Sequence, residues 1–176
     1  GEPGVDGIKT GHTATAGYCL VTSAERDGMR LIAVVLGTAS KLARKEESRK
    51  MLGYGFRFYE TPKVLGAGQS LSDPPAKVWK GAADSVRLGV TRDVYVTVPR
   101  GRAAELKAAY VVDEAHKAIE APVAAGTAVG TVTVSLGEEP VLQEPLAALD
   151  SVERGGFFRV FWDSLVLFFL KLFGQA

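Results

Sequence analysis

The chain has 176 residues, enough for one ordinary domain or two small ones. Its 21 Lys and Arg against 20 Asp and Glu give a formal charge of +1, without the cationic excess that a nucleic-acid surface needs, so no nucleic-acid partner is expected. A content of 47% apolar and 23% charged residues makes it globular rather than disordered. Cys19 is the sole cysteine and excludes an internal disulfide, without fixing the compartment. Cys19, His12 and His116 are too few for a four-ligand structural zinc site, and only a carboxylate-assisted metal site stays open. Gly53-Tyr54-Gly55 and Gly66-Ala67-Gly68 are too short for phosphate or dinucleotide loops, and no cofactor is expected.

The chain opens on Gly1-Glu2-Pro3-Gly4, a turn-like run leading into a strand, and reads as a segment of something longer. Val5 to Lys9 and Tyr18 to Ala24 are strand candidates. Met29 to Leu36 is nearly all apolar, as in a strand buried on both faces. Asp27-Gly28 between the last two runs predicts a tight hairpin, because both central residues need positive φ. Ser40 is a candidate N-cap for a helix from Lys41 to about Tyr59, with Leu52, Phe56 and Tyr59 on one face and Pro62 ending it. Three strands and one helix leave the second sheet face uncovered, so residues 1–61 predict part of an α/β domain whose missing layer lies upstream.

Residues 62–150 change to short β-rich runs broken by Gly, Pro and Asp. Val78-Trp79, Val86 to Leu88, Val94 to Val98, Tyr110 to Val112 and Val129 to Leu136 predict the strands of a β-sandwich or small barrel. Thr131 to Leu136 alternates one wet face with one buried face. Glu138-Glu139 could serve as acid and base, but an adjacent pair at a hairpin tip reads better as a solvated turn.

Residues 151–176 form the third part. Phe157, Phe158, Phe161, Trp162, Phe168, Phe169 and Phe173 are seven of the fifteen aromatics of the chain. With Leu165 and Leu172 they cover most of a helical wheel, while Arg159, Asp163, Ser164 and Lys171 share one side. The longest uninterrupted apolar run, Leu165 to Leu170, is far short of the ~18–20 residues of a membrane span. The helix therefore predicts a lipid-surface anchor that lies in the interface, with packing on the protein's own core or on a partner as the competing reading.

Lys9-Thr10-Gly11 ends the first strand candidate and is followed by His12-Thr13. The octapeptide Asp6 to Thr13 closely resembles the third motif of serine-type D-alanyl-D-alanine carboxypeptidases of the penicillin-binding protein 5/6 type. Ala16-Gly17-Tyr18, Gly28 to Ile32, Gly55 to Glu60, Val129-Gly130-Thr131, Pro145-Leu146 and the aromatic tail share the resemblance. It implies a penicillin-binding, β-lactamase-like domain fragment, then a β domain, then an anchor. Lys9 would supply catalytic positive charge, and Thr10 and Arg44 would bind the substrate's terminal carboxylate. Gly11 would let the substrate backbone lie close, and the backbone N–H of His12 would be an oxyanion donor. Read without the resemblance, Arg44 is an exposed helix charge.

The resemblance further implies a peptidoglycan pentapeptide as substrate, β-lactams as acylating ligands and the periplasmic face of the cytoplasmic membrane as location. Endopeptidase, transpeptidase and side β-lactamase activities stay open. One departure is decisive. No serine here has a lysine three positions later, and there is no asparagine for a Ser-x-Asn motif. The nucleophile is therefore expected outside these residues, and this chain alone is expected to be inactive. The competing reading is a non-enzymatic, membrane-tethered β-rich binding or scaffold module.

Overall fold

The structure, a computed structural model, describes residues 3–172. First come β1 (Val5–Thr13), β2 (Gly17–Arg26), β3 (Met29–Thr38), α1 (Lys41–Phe58) and β4 (Tyr59–Glu60). Short strands follow: β5 (Lys63–Leu65), β6 (Ala76–Trp79), β7 (Ser85–Val86), β8 (Leu88–Gly89), β9 (Val94–Tyr95) and β10 (Val98–Pro99). The last elements are β11 (Leu106–Val112), β12 (Ile119–Glu120), β13 (Ala128–Leu136), β14 (Glu139–Ala148) and α2 (Phe157–Leu172). They divide into two compact units, Gly1–Pro62 with Thr97–Ala104, and Lys63–Val96 with Glu105–Ala176.

The first unit is an antiparallel sheet in the order β1-β2-β3, with α1 on one face. The predicted hairpin is present, with Asp27 at φ 49° and Gly28 at φ 77°. Ala24, Ala33 and Leu52 form its buried centre, with Leu31 and Phe56 packed around them. Small residues at 24 and 33 let α1 lie close to the sheet. Gly55 does the same, since a Cβ there would lie 2.4 Å from Leu31 Cδ1. The expectation that β3 is buried on both faces fails among the described residues. Ala33 and Val35 are covered, but Ile32 and Leu36 are 62% and 69% exposed. Alternation along the strand assigns them to the face away from α1.

Two details of α1 differ from the sequence reading. Tyr59 lies outside the helix, at φ −123° and ψ 160°, and pairs with Pro99 in the short β4–β10 ladder. Pro62 is not what stops the helix. Strand pairing and Arg100 end it, the latter donating to the carbonyl oxygens of Phe56, Arg57 and Tyr59 at 3.0, 3.2 and 3.1 Å. The predicted N-cap is as expected: Ser40 Oγ accepts the Ala43 N–H at 3.0 Å.

The second unit holds a four-stranded sheet, β11-β13-β14-β8, a three-stranded sheet, β12-β6-β7, and the β5-β9 pair. Leu88, Leu146, Val78, Val86, Val132 and Val134 are all but inaccessible to solvent. Val132 and Val134 are the predicted dry face of the alternating strand. The run from Val94 to Val98 is not one strand. It breaks into β9 and β10, and β10 belongs to the first unit. The strand β14, which carries Pro140 and Pro145, is not among the strands expected from the sequence. Beyond its ladder with β13, β14 pairs with β8 only at Ala147 and Ala148, so both prolines lie in the stretch of β14 that has a single neighbouring strand. Glu138 and Glu139 are exposed beside Gly137, whose φ of 64° closes the β13–β14 hairpin.

Residues 151–156 are not helical. Val152 bridges Val123 and Arg154 bridges Gly81, and α2 starts at Phe157. No helix among the described residues is long and apolar enough to cross a membrane.

Candidate functional site

The Lys-Thr-Gly sequence occupies the outer strand of the first sheet. Register pairs Lys9 with Val21, Thr10 with Leu20, Gly11 with Cys19 and His12 with Tyr18. Period-two alternation splits these four residues. Thr10 and His12 share the face that carries α1, while Lys9 and Gly11 belong to the opposite face. The Lys9 ammonium donates to the Thr10 carbonyl oxygen at 3.0 Å.

Arg44 lies four residues beyond the N-cap Ser40, and its own N–H bonds the Ser40 carbonyl at 3.2 Å. Its guanidinium reaches the sheet, donating to the carbonyl oxygens of Gly11 at 3.0 Å and Cys19 at 3.2 Å. It also lies 5.6 Å from the centre of the Tyr18 ring, which stacks on His12 at 3.9 Å between ring centroids. The helix start thus fixes a cation over the strand on the Thr10 side. A guanidinium has five N–H donors, so two carbonyl contacts leave donors for a carboxylate. The sequence reading named Arg44, Thr10 and His12 but not the Tyr18 ring between them. Its signal was the short connection Ala14–Ala16, which places residue 18 across from residue 12. Thr13 Oγ1 accepts the Ala16 N–H there at 2.9 Å.

Gly11 answers no packing demand of the described chain. A Cβ there would meet only the Cys19 Cβ at 3.7 Å, an ordinary contact. Gly17 differs: at φ 66° its Cβ would lie 3.0 Å from the Thr38 carbonyl oxygen. Along the α1 side of β1 runs a cleft of about 510 Å³ bordered by Ile8, Thr10, Leu20, Lys45, Ser48 and Leu52. Among the described residues no cluster of three His, Cys, Asp or Glu could hold a metal.

The second site is α2, whose burial is inverted relative to a helix on a water-soluble surface. At 100° per residue, Phe157, Phe158, Phe161, Trp162, Leu165, Phe168 and Phe169 fall within about 140° of arc. All seven are exposed, Phe157 by 80%. The opposite stripe, Arg159, Asp163 and Leu167, faces the protein. Asp163 Oδ2 accepts the Lys80 N–H at 2.6 Å, Arg159 pairs with Asp84, and Leu167 is 3% exposed. Phe173 and the side chain of Leu172 lie outside the described residues.

Comparison with known proteins matches most of the chain. Residues 59–154 match the family model described as penicillin-binding protein 5, C-terminal domain, and residues 1–40 match that of D-alanyl-D-alanine carboxypeptidase. The D-alanyl-D-alanine carboxypeptidase DacA of Escherichia coli (strain K12) is 44% identical over 170 residues, covering 97% of this chain and 41% of that protein. DacC of the same organism is 42% identical over 171 residues, covering 97% of this chain and 42% of that protein. The structure of penicillin binding protein 5 from Haemophilus influenzae has 40% sequence identity and a TM-score of 0.74, covering 86% of this chain and 43% of that one. The chain therefore spans about two fifths of the length of the curated relatives it matches. Because residues 59–154, more than half of the chain, match the penicillin-binding protein 5 C-terminal model, and the Lys-Thr-Gly strand falls within the match at residues 1–40, the chain belongs to the penicillin-binding protein 5 family.

Proposed function

We propose that these residues form the substrate-carboxylate, oxyanion and membrane-attachment portion of a serine-type D-Ala-D-Ala carboxypeptidase. The enzyme removes the terminal D-alanine from peptidoglycan pentapeptides through a serine acyl-enzyme. β-Lactams acylate the same serine. The observation that carries this reading is the Arg44 guanidinium held over the Lys-Thr-Gly strand on the side of Thr10.

Each residue then has a chemical task. Thr10 and Arg44 grip the carboxylate of the terminal D-alanine, the guanidinium by charge-assisted hydrogen bonds. Gly11 leaves room for the substrate backbone along β1. The His12 backbone N–H is one oxyanion donor, a group typically worth ~3 kcal/mol in the transition state. Lys9 contributes positive charge beside the nucleophile and assists proton transfer. The nucleophile itself comes from a Ser-x-x-Lys motif outside residues 1–176, since none of the serines here has a lysine partner.

Catalysis, spacing and attachment fall to the first unit (Gly1–Pro62 with Thr97–Ala104), the β-rich unit and α2, a division that departs from successive stretches at 1–61, 62–150 and 151–176. The aromatic arc of α2 seats the protein on the periplasmic face of the cytoplasmic membrane without crossing it. Each Phe or Leu side chain, when fully buried, contributes about 1.5–3 kcal/mol.

The test uses the natural enzyme carrying these residues, assayed for D-alanine release and for covalent labelling by fluorescent penicillin. Arg44→Ala is expected to lower kcat/KM for the pentapeptide by about 10–100-fold, the value of a charge-assisted hydrogen bond. Residues 1–176 alone are expected to take no covalent label. An Arg44→Ala enzyme with unchanged kcat/KM, or a serine adduct on residues 1–176, overturns the assignment. For attachment, serine at Phe161, Trp162 and Phe169 together should abolish liposome flotation. Flotation equal to the parent chain removes the anchor.

A further inference from the structure

The inverted helix α2 raises a question that membrane attachment alone does not answer. A helix tethered by a loose segment would bind lipid equally well and leave the protein free to swing. The connection seen here is not loose.

Three backbone contacts seat the segment before α2. Val152 and Val123 exchange N–H···O bonds at 2.8 and 2.9 Å, the Ala82 N–H donates to the Glu153 carbonyl at 2.7 Å, and the Gly155 N–H donates to the Lys80 carbonyl at 2.8 Å. Gly155 lies against Gly81 so closely that a Cβ on Gly155 would stand 2.8 Å from the Gly81 carbonyl oxygen. A Cβ on Gly81 would in turn meet the Ala83 carbonyl oxygen and Val152 Cγ1, both at 2.8 Å. Glycine on glycine is what permits this approach.

The helix is then gripped by the same turn. Lys80 has a left-handed φ of 58°, uncommon for a residue with a side chain. All of its polar groups are engaged: the N–H by Asp163 at 2.6 Å, the carbonyl by Gly155, and the ammonium by Glu120 at 2.5 Å. Arg159, one turn before Asp163, pairs with Asp84 at the far end of the turn. Leu167, one turn after, is buried. Arg159, Asp163 and Leu167 follow at intervals of four, the spacing that keeps side chains on one helix face.

We infer that the Lys80–Asp84 turn is an orienting clamp for α2, which holds the helix at one rotation with its aromatic arc outward, on a lipid surface as well as off it. This rests on the lipid reading proposed above. The clamp stripe and the aromatic arc lie on opposite sides of the helix, so lipid can bury one without competing for the other. Arg159 and Asp163 thus act as positioning residues, not as lipid contacts. A membrane-bound protein held in this way keeps its β-rich unit at a fixed tilt to the bilayer.

The test places nitroxide labels at Lys107→Cys on β11 and Ser164→Cys on α2, in a full chain carrying Cys19→Ser. The distance distribution is measured in solution and on phosphatidylcholine–phosphatidylglycerol vesicles. A narrow distribution in both conditions is expected. Asp163→Ala should broaden it at least about twofold and speed exchange of the Lys80 amide by about tenfold or more, because the local opening cost falls. The same variant should change vesicle-bound fraction by less than about twofold, because the aromatic arc is untouched. Asp163→Asn keeps an acceptor oxygen and should restore most of the amide protection.

A distribution that is narrow in solution but broad on vesicles overturns the inference, because the helix then peels away on lipid. So does an unchanged width in Asp163→Ala. Should that variant fail to fold, protection of the Lys80 amide in the unsubstituted chain decides: loss of protection on adding vesicles overturns the clamp, and retention supports it. A narrow solution distribution with no flotation overturns the lipid reading instead and leaves the clamp supported by the solution measurement.

Discussion

The two units bury their strands differently, although in both the side chains point alternately to the two faces of a sheet. In the β-rich unit, Val132 and Val134 on β13 and Leu146 on β14 are wholly removed from water. In the first unit, β3 alternates as cleanly, yet only Ala33 and Val35 on the α1 side are covered, while Ile32, Val34 and Leu36 face out. One unit has its layers closed around a core. The other has a single helix on one face of its sheet, and presents its Lys-Thr-Gly strand at the sheet edge. The lesson is that alternation fixes which residues share a face, not whether that face is buried. Burial needs a second layer.

Stability measurements can break that contrast. Leu146→Ala should cost about 2–5 kcal/mol in urea unfolding followed by circular dichroism, the range for a fully buried leucine. Leu36→Ala in the same chain should cost less than about 0.5 kcal/mol, as for an exposed site. Similar costs for the two would show that the exposed face of β3 is covered in solution.

Within the first unit, the closed and open sides are expected to differ as well. Gly55→Ala drives a Cβ into Leu31 and should destabilise by about 1–3 kcal/mol, the usual cost of overpacking. Gly11→Ala should leave stability within about 1 kcal/mol, since its new methyl has room on the strand. On the proposed reading, in which the substrate backbone uses that space, the same change in the natural enzyme should lower kcat/KM on the pentapeptide. A stable Gly11→Ala enzyme with undiminished activity would break the link between the open strand and the substrate.

The smallest expected effect is the acid limb of stability. Asp150 is held below its usual carboxylate range by hydrogen bonds from the Arg87 guanidinium at 2.6 and 2.9 Å. Asp93 is lowered chiefly by the Ala67 N–H and then by Lys63, and Asp6 in the first unit chiefly by Arg30. A carboxylate whose folded pKa is lowered stabilises the fold above its unfolded value of 3.8. That stability is lost as the pH falls below 3.8 through the lowered folded value. Asp150→Asn should flatten the fall in thermal midpoint below pH 3.8 and leave the slope above pH 5 unchanged, the usual unfolded carboxylates being ionised there. Because these pairs are solvent-exposed, the effect should shrink further in high salt.

Much of the site was legible in the residues themselves. The Asp27-Gly28 turn and the Ser40 cap are local signals, set by backbone sterics and short-range hydrogen bonds, whereas Lys9-Thr10-Gly11, expected at a strand end, lies inside β1, which runs on to Thr13. From the turn and the cap followed the β2–β3 hairpin and the start of α1, and from the motif the family resemblance. The absence of Ser-x-x-Lys was equally plain. Tertiary structure decided what depends on residues far apart in sequence. It turned Arg44 back onto the carbonyls of Gly11 and Cys19, brought Thr97–Ala104 to the end of α1, and paired the proline-bearing β14 with β13 along its length and with β8 at Ala147 and Ala148. For the tail, the sequence determined a wide aromatic arc and a narrow polar stripe. Only the fold determined that the polar stripe faces inward, because the Lys80–Asp84 turn offers an N–H and a carboxylate that Asp163 and Arg159 can satisfy, and nothing in the local pattern records that turn.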